Sequence, residues 1–162
     1  MIIGFVGLGR MGFNMVLNLL DHKQKVVAYN RSSEKVKKIF KRGAIPAYSL
    51  QELVKKLPKR KIIWLMVTSK AVDAVLGDLI FLLSKGDIII DGGNSFYKDS
   101  MRRYKKLKDH GIHFLDVGTS GGITGARHGA CLMIGGDKKI FKKTEYIFKN
   151  LATKNGYGYM GE

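Results

Sequence analysis

Two rhythms of apolar residues alternate along this chain. Short runs that are apolar at nearly every position, at 1–6, 26–29, 61–67, 87–91 and 112–116, read as strands buried on both faces, as in a parallel sheet. Between them apolar residues recur every three or four positions. Phe13, Val16, Leu17 and Leu20 mark a helix starting near Arg10, and Val72, Val75, Leu76 and Leu79 mark another over 70–83. Further helices are expected over 33–42, from a Ser49 cap to about 57, over 98–110 and over 138–151. Ser49 with Glu52 three residues on is a capping-box pattern, and Ser69 and Asp137 suit the same capping position in their helices. The alternation predicts an α/β fold: a Rossmann-like, doubly wound, mostly parallel sheet with helices on both faces. Past residue 116 the texture changes. Residues 118–129 are glycine-rich, 130–134 read as a short strand and 157–160 as one more. No internal repeat, low-complexity linker or second domain is visible, so one domain over 1–162 is expected.

Between the first strand and the first helix lies Gly7-Leu8-Gly9-Arg10-Met11-Gly12, a G-x-G-x-x-G turn. Gly7 permits the tight turn, Gly9 lets a diphosphate approach the backbone, and Gly12 lets helix and strand pack closely. A strand before, a helix after and a second strand at the right distance form the context a dinucleotide site requires. A glycine turn that serves packing alone is the plainer reading. The second strand ends in Asn30-Arg31-Ser32, where an NAD enzyme usually carries Asp or Glu for the ribose 2′-hydroxyl. Asn30 does not repel a 2′-phosphate, Arg31 can fork onto one and Ser32 can donate to it, which favours NADP over NAD. The plainer reading makes Ser32 or Ser33 a helix cap and Arg31 a solvated cation.

Composition narrows the classes. The 162 residues are 45% hydrophobic, enough for one real core, and no apolar run is long enough to cross a bilayer. The N-terminal run feeds straight into the glycine turn, which makes it a strand and not a signal peptide. Cys131, the single cysteine, excludes an internal disulfide, fits a reducing cytoplasm and, in an apolar strand, reads as core. The formal net charge of +16 suggests nucleic acid. The basic residues, Arg102, Arg103, Lys105, Lys106 and Lys108 among them, are however scattered over the expected surface helices, without one stripe or a base-stacking motif. A solvated basic exterior that attracts anionic substrates is expected instead, with neither nucleic acid nor membrane as partner.

Ligands of an open parallel sheet bind beyond the carboxyl ends of its strands. Three glycine-bearing loops fall there, at 7–12, 91–95 and 118–122, with Val67-Thr68 closing the central strand beside them. Asn94, Ser95, Thr119 and Ser120 bring short polar groups suited to hydroxyls or a carboxylate near a nicotinamide. No acid-base pair stands out. His22, His110, His113 and His128 are separated, Asp91 and Asp116 are expected to hold loop backbone, and no metal-ligand spacing occurs.

Gly-Leu-Gly-Arg-Met-Gly at 7–12, Asn-Arg-Ser at 30–32, Asp-Gly-Gly-Asn-Ser at 91–95 and Gly-Thr-Ser-Gly-Gly-Ile-Thr-Gly-Ala at 118–126, followed by Met133-Ile134-Gly135-Gly136, span nearly the whole chain. In these runs the chain closely resembles the N-terminal coenzyme domain of 6-phosphogluconate dehydrogenase, the decarboxylating enzyme of the pentose phosphate pathway. Hydroxyisobutyrate-type dehydrogenases are similar at 120–126 but usually differ at 91–95. The resemblance implies that Met11, Asn30, Arg31, Ser32, Val67 and Thr68 line the coenzyme site with the rest of the glycine turn and Asn94. It implies that Asn94, Ser120, Gly121 and Gly122 bind 6-phosphogluconate. In the family, hydride leaves C3 for NADP, the 3-keto acid loses CO2, and the enediol is protonated to ribulose 5-phosphate. The resemblance places the lysine base, the glutamate acid and most of a homodimer interface in a helical domain after this one. That domain is expected to be absent from 1–162, which leaves no catalytic acid or base in this chain. The alternatives are a stand-alone, non-catalytic NADP(H)-binding module and a related hydroxyisobutyrate-type 3-hydroxyacid dehydrogenase domain.

Overall fold

The computed structural model describes residues 2–162; Met1, expected at the head of the first strand, lies outside the described residues. The chain runs β1 (Ile2–Val6), α1 (Arg10–Asp21), β2 (Lys25–Tyr29), α2 (Ser33–Phe40), β3 (Ile45–Ala47), α3 (Leu50–Lys55), β4 (Ile62–Leu65) and α4 (Ser69–Ile80). It continues β5 (Ile88–Asp91), α5 (Tyr97–Asp109), β6 (His113–Ser120), α6 (Gly122–His128), β7 (Ala130–Gly136), α7 (Lys138–Leu151) and β8 (Ala152–Gly161). The sheet order is β3-β2-β1-β4-β5-β6-β7-β8. Neighbours are parallel except β6 and β7, which run antiparallel from Leu115 opposite Gly136 to Ser120 opposite Cys131.

Each central strand buries both faces, which explains its continuous apolar run. Ile3, Phe5, Ile62, Trp64, Ile88, Ile90, Leu115 and Val117 face one cluster, packed with Met15, Val36 and Phe148 from α1, α2 and α7. Val6, Val27, Ile63, Leu65 and Ile89 face the other, with Leu53, Leu79 and Leu107 from α3, α4 and α5. Phe5 stacks on Trp64 with ring centres 6.3 Å apart, and Phe148 closes on Trp64 from α7 at 6.2 Å. The doubly wound expectation therefore holds, with cores on both faces.

Several local expectations are corrected. Gly118, Thr119 and Ser120 belong to β6, because their backbone pairs with β7 despite the glycine. The second half of the glycine-rich stretch is α6, held by packing rather than propensity. Ala126 is buried there, and its carbonyl receives Asn18 Nδ2 of α1 at 3.5 Å. The cap position of α4 is Thr68; Ser69 is its first helical residue, and no side chain caps that helix. β8 extends well beyond 157–160, following directly on α7. Cys131 is exposed rather than core, because Ala130, Leu132 and Ile134 take the buried side of β7 and the alternation turns Cys131 outward. Ser49 and Asp137 cap as expected: Glu52 N–H donates to Ser49 Oγ at 3.0 Å, and Lys139 N–H to Asp137 Oδ1 at 2.7 Å.

Gly12 and Gly9 separate packing from open space. A Cβ on Gly12 would lie 2.0 Å from the Gly7 carbonyl oxygen, whereas one on Gly9 would meet nothing within 4 Å, at an ordinary φ of −66°. Urea denaturation of Gly12→Ala should therefore show a loss of at least about 2 kcal/mol, while Gly9→Ala should stay within about 0.5 kcal/mol of the parent. Equal stability of the two variants would contradict the close helix–strand contact.

Candidate functional site

Five segments meet along the carboxyl ends of the parallel strands, and a chain of short contacts joins them. Gly7, at φ +102°, turns so tightly after β1 that a Cβ would lie 2.4 Å from the Met66 carbonyl oxygen at the end of β4. The Leu8 N–H donates to Asn30 Oδ1 at 2.9 Å, so the side chain that replaces the usual acid after β2 holds the glycine turn. Asn30 Nδ2 reaches the Ser32 carbonyl at 3.3 Å. Gly92 and Gly93 lie across the end of β4, where Cβ atoms would fall 2.5 Å from Trp64 Nε1 and from the Val67 carbonyl oxygen. Asn94, in the left-handed region at φ +56°, grips β6 twice: Nδ2 donates to the Thr119 carbonyl at 3.0 Å, and the Thr119 N–H donates to Oδ1 at 2.7 Å. Thr119 leads into Ser120-Gly121-Gly122, where Gly121 (φ +131°) and Gly122 (φ +58°) make the turn into α6.

The structure thus brings the glycine turn, Asn30, Val67, Asn94 and the 120–122 turn to one edge of the sheet. Gly9, Arg10, Arg31, Ser32, Thr68, Ser120, Gly121 and Gly122 are exposed on it, and Met11 is half-buried. Ser32 occupies the cap position of α2 without a side-chain bond to that helix. Arg31 makes no hydrogen bond or ion pair with other described residues, so both groups are available to a ligand. The N-terminus of α1 has no side-chain cap and no acid in its first turn. Its unpaired N–H groups and positive dipole end suit an anion, and the space beside Gly9 admits one. These features fit a dinucleotide diphosphate.

Asp91 holds loop backbone, as expected: fully buried, it accepts Gly93 N–H on Oδ1 at 3.0 Å and the Ser95 hydroxyl on Oδ2 at 2.7 Å. The residue that sequence reading missed is Arg103, counted among the solvated cations of α5 but buried. All five of its N–H donors are engaged. Nε and Nη2 fork onto Asp73 at 3.1 and 2.9 Å, and Nη2 also meets the Ser69 carbonyl at 3.2 Å. Nη1 donates to Ser95 Oγ at 2.7 Å and to Asp91 Oδ2 at 3.4 Å. The available signal was its place on α5: Ser100, Arg103 and Leu107 form the buried face of that helix. Arg102 adds a second fork onto Asp73 at 3.2 and 2.9 Å.

Electrostatics divides the carboxylates. Hydrogen bonds from Arg103, then from Arg102, hold Asp73 well below the usual carboxylate range. Burial pushes Asp116 upward, the neighbouring Asp91 charge adds to that, and the Ser100 hydroxyl opposes it. His22 and His110 sit at the C-terminal ends of α1 and α5, His113 is on β6 and His128 ends α6. Among the described residues no group of His, Cys, Asp or Glu could hold a metal ion, and no helix is long and apolar enough to cross a membrane.

Comparison with known proteins gives a consistent family. The family model described as the NAD binding domain of 6-phosphogluconate dehydrogenase matches residues 2–161. The chain is 48% identical over 160 residues to YqeC of Bacillus subtilis, provisionally named a 6-phosphogluconate dehydrogenase, covering 99% of this chain and 54% of that one. It is 46% identical over 162 residues to the decarboxylating 6-phosphogluconate dehydrogenase of Ovis aries, covering 96% of this chain and 34% of the sheep enzyme. The chain therefore spans about half of one relative and a third of the other. Among solved structures, Plasmodium falciparum 6-phosphogluconate dehydrogenase, studied without ligand, with NADP+ and with 6-phosphogluconate, superposes with a TM-score of 0.92 at 33% identity, over 99% of this chain and 37% of that one. Mycobacterium tuberculosis 3-hydroxyisobutyrate dehydrogenase superposes at 0.90 with 23% identity, over 99% of this chain and 54% of that one, a likeness of fold alone.

The opposite shifts of Asp73 and Asp116 carry opposite pH signs. Asp73, depressed on folding, contributes stability that is present above the unfolded carboxylate pKa and lost as pH falls through its folded value. Asp116, raised on folding, contributes stability that is present below the unfolded value and lost as pH rises through its folded one. Asp116→Asn should therefore raise the Tm at pH 7, and the gain should shrink on acidification and disappear about a unit below the ordinary Asp pKa of about 3.9, where the parent carboxyl is protonated in both states. A gain that grows on acidification would refute the burial argument.

Proposed function

The chain belongs to the family of NAD-binding domains of 6-phosphogluconate dehydrogenase, and on that premise we propose that it binds NADP and one side of 6-phosphogluconate in an oxidative decarboxylation that yields ribulose 5-phosphate. The observation that carries this reading is the continuous edge from the glycine turn through Val67 and Asn94 to Thr119 and Ser120. A diphosphate belongs at the uncapped start of α1, against Gly7, Leu8, Gly9, Arg10, Met11 and Gly12. Val67, Thr68 and Asn94 flank the nicotinamide end. When bound, the nicotinamide supplies the hydride acceptor.

Asn94, Ser120, Gly121 and Gly122 form the substrate wall in this reading. One Nδ2 proton of Asn94 stays available after its bond to Thr119, because a carboxamide nitrogen carries two donors. Ser120 offers an exposed hydroxyl, and the glycines after it let a sugar phosphate approach the backbone. Arg31 and Ser32 select the 2′-phosphate of NADP. Asn30 takes no charge to that end of the site; its carboxamide orients Leu8 instead.

This part of the enzyme positions ligands. The base for the C3 hydroxyl, the acid for the enediol and the homodimer interface belong, in this reading, to the helical domain that the family resemblance implies. A reducing cytoplasm suits the lone, exposed Cys131.

Coenzyme preference should follow Arg31. NADP should bind more tightly than NAD, and Arg31→Ala should narrow the gap by about 1.5–3 kcal/mol, tenfold or more in affinity; calorimetric titration with both coenzymes measures it. Equal binding of NAD and NADP by the parent chain would reject this assignment. Residues 1–162 mixed with NADP and 6-phosphogluconate should show binding without turnover when nicotinamide absorbance is followed, because a placed acid or base typically contributes about 10²–10⁴-fold. Turnover at the rate of a full-length relative would mean that these residues contain the acid and base.

A further inference from the structure

Arg102, Lys105, Lys106 and Lys108 on α5 all reach solvent, yet the Arg103 side chain is only 2% exposed. Its guanidinium lies where four pieces of chain converge: the first two turns of α4 at Ser69 and Asp73, the end of β5 at Asp91, the loop at Ser95, and α5 itself. Two of these pieces flank the ligand edge. Ser69 follows Val67-Thr68, and Ser95 follows Asn94.

Asn94 is the residue under constraint. Its left-handed φ of +56° is sparsely populated outside glycine, although Asn tolerates it better than most residues, and here it is fixed from both sides. On one side its amide is held by Thr119. On the other, Gly93 and Ser95 are both held by Asp91, and Ser95 is held by Arg103 as well. We propose that Arg103 is a positioning residue for the substrate wall: through Ser95 and Asp91 it keeps Asn94 in the conformation that grips Thr119, and so aims the Ser120-Gly121-Gly122 turn.

The chemistry requires arginine. Its planar fork binds both oxygens of Asp73 while a third nitrogen reaches Ser95 and Asp91 on the other side. Lysine offers one compact charge and cannot span both. Without the guanidinium the buried Asp91 carboxylate would keep only the Gly93 and Ser95 donors, with no countercharge beside it. The coenzyme's adenosine end, bound at Arg31 and Ser32, shares none of these contacts. That difference gives the proposal its test.

The proposal rests on 6-phosphogluconate being the substrate. The test uses the full chain labelled with nitrogen-15 as parent, Arg103→Lys and Ser95→Ala. Three quantities are read in folded samples: hydrogen exchange of the Thr119 amide, affinity for 6-phosphogluconate, and affinity for 2′,5′-ADP as a probe of the glycine turn and Arg31. Both variants should speed Thr119 exchange and weaken 6-phosphogluconate about tenfold or more, while 2′,5′-ADP changes less than about twofold. If Arg103→Lys fails to fold, Ser95→Ala decides, since it removes one arm and leaves the Asp73 fork intact. Unchanged Thr119 exchange with unchanged substrate affinity would overturn the proposal, as would equal losses for both ligands, the mark of a merely structural role. A parent chain that binds no 6-phosphogluconate would defeat the substrate reading instead, and Thr119 exchange would still decide the coupling.

Discussion

A single buried guanidinium holds the ligand edge of this sheet together. A charge taken out of water is tolerated only with countercharge and complete hydrogen bonding. Arg103 has both: two carboxylates face it, and every N–H finds an acceptor. One of those carboxylates, Asp91, is itself fully buried at the end of β5, and the guanidinium is the countercharge beside it. After β4, Met66 and Val67 pack against the two cores. The stretch Gly92-Gly93-Asn94-Ser95 after β5 has no apolar side chain to pack, and this ion pair with its bonds to Ser69 and Ser95 ties it to α4 and α5.

The second constraint is steric. Gly7 lies on the Met66 carbonyl, Gly12 on the Gly7 carbonyl, Gly92 on the Trp64 ring and Gly93 on the Val67 carbonyl, each closer than a Cβ allows. These glycines draw the turn after β1 and the loop after β5 onto the end of β4. Gly9 and Gly122 differ, since a Cβ on either would meet open space. The first group builds the back of this edge, and in the proposed reading the second faces the volume that a dinucleotide and a sugar phosphate would fill.

Charge is arranged on two scales. The +16 net charge is carried mostly by exposed lysines on helices, where it attracts anions at long range without selecting among them. In the proposed reading, selection falls to a few placed groups: the uncapped start of α1, Arg31 and Ser32, and Asn30, which is neutral and bonded to the turn. An acid at position 30 could hold the turn equally well but would repel a 2′-phosphate. An amide at that place fits an NADP site.

Much of this was legible in the sequence. Continuous apolar runs revealed the doubly buried strands and 3.6-residue spacing the helices, because both patterns follow from local geometry and burial. The glycine turn announced itself for the same reason: its residues are adjacent in the chain, and their steric requirement is local. Gly118 to His128 misled because strand and helix there arise from pairing with β7 and packing on α1, against the propensity of glycine. Cys131 misled because burial in a short strand depends on which face is covered. Arg103 and the Asn94–Thr119 clamp were invisible for a deeper reason. Their partners lie between 8 and 34 residues away, on separate elements, and only the folded sheet brings them within hydrogen-bonding distance. The sequence by itself determined the elements, the fold class and the chemistry available at the strand ends; the tertiary structure decided which charges are buried and which loops they hold, because those are properties of long-range contacts.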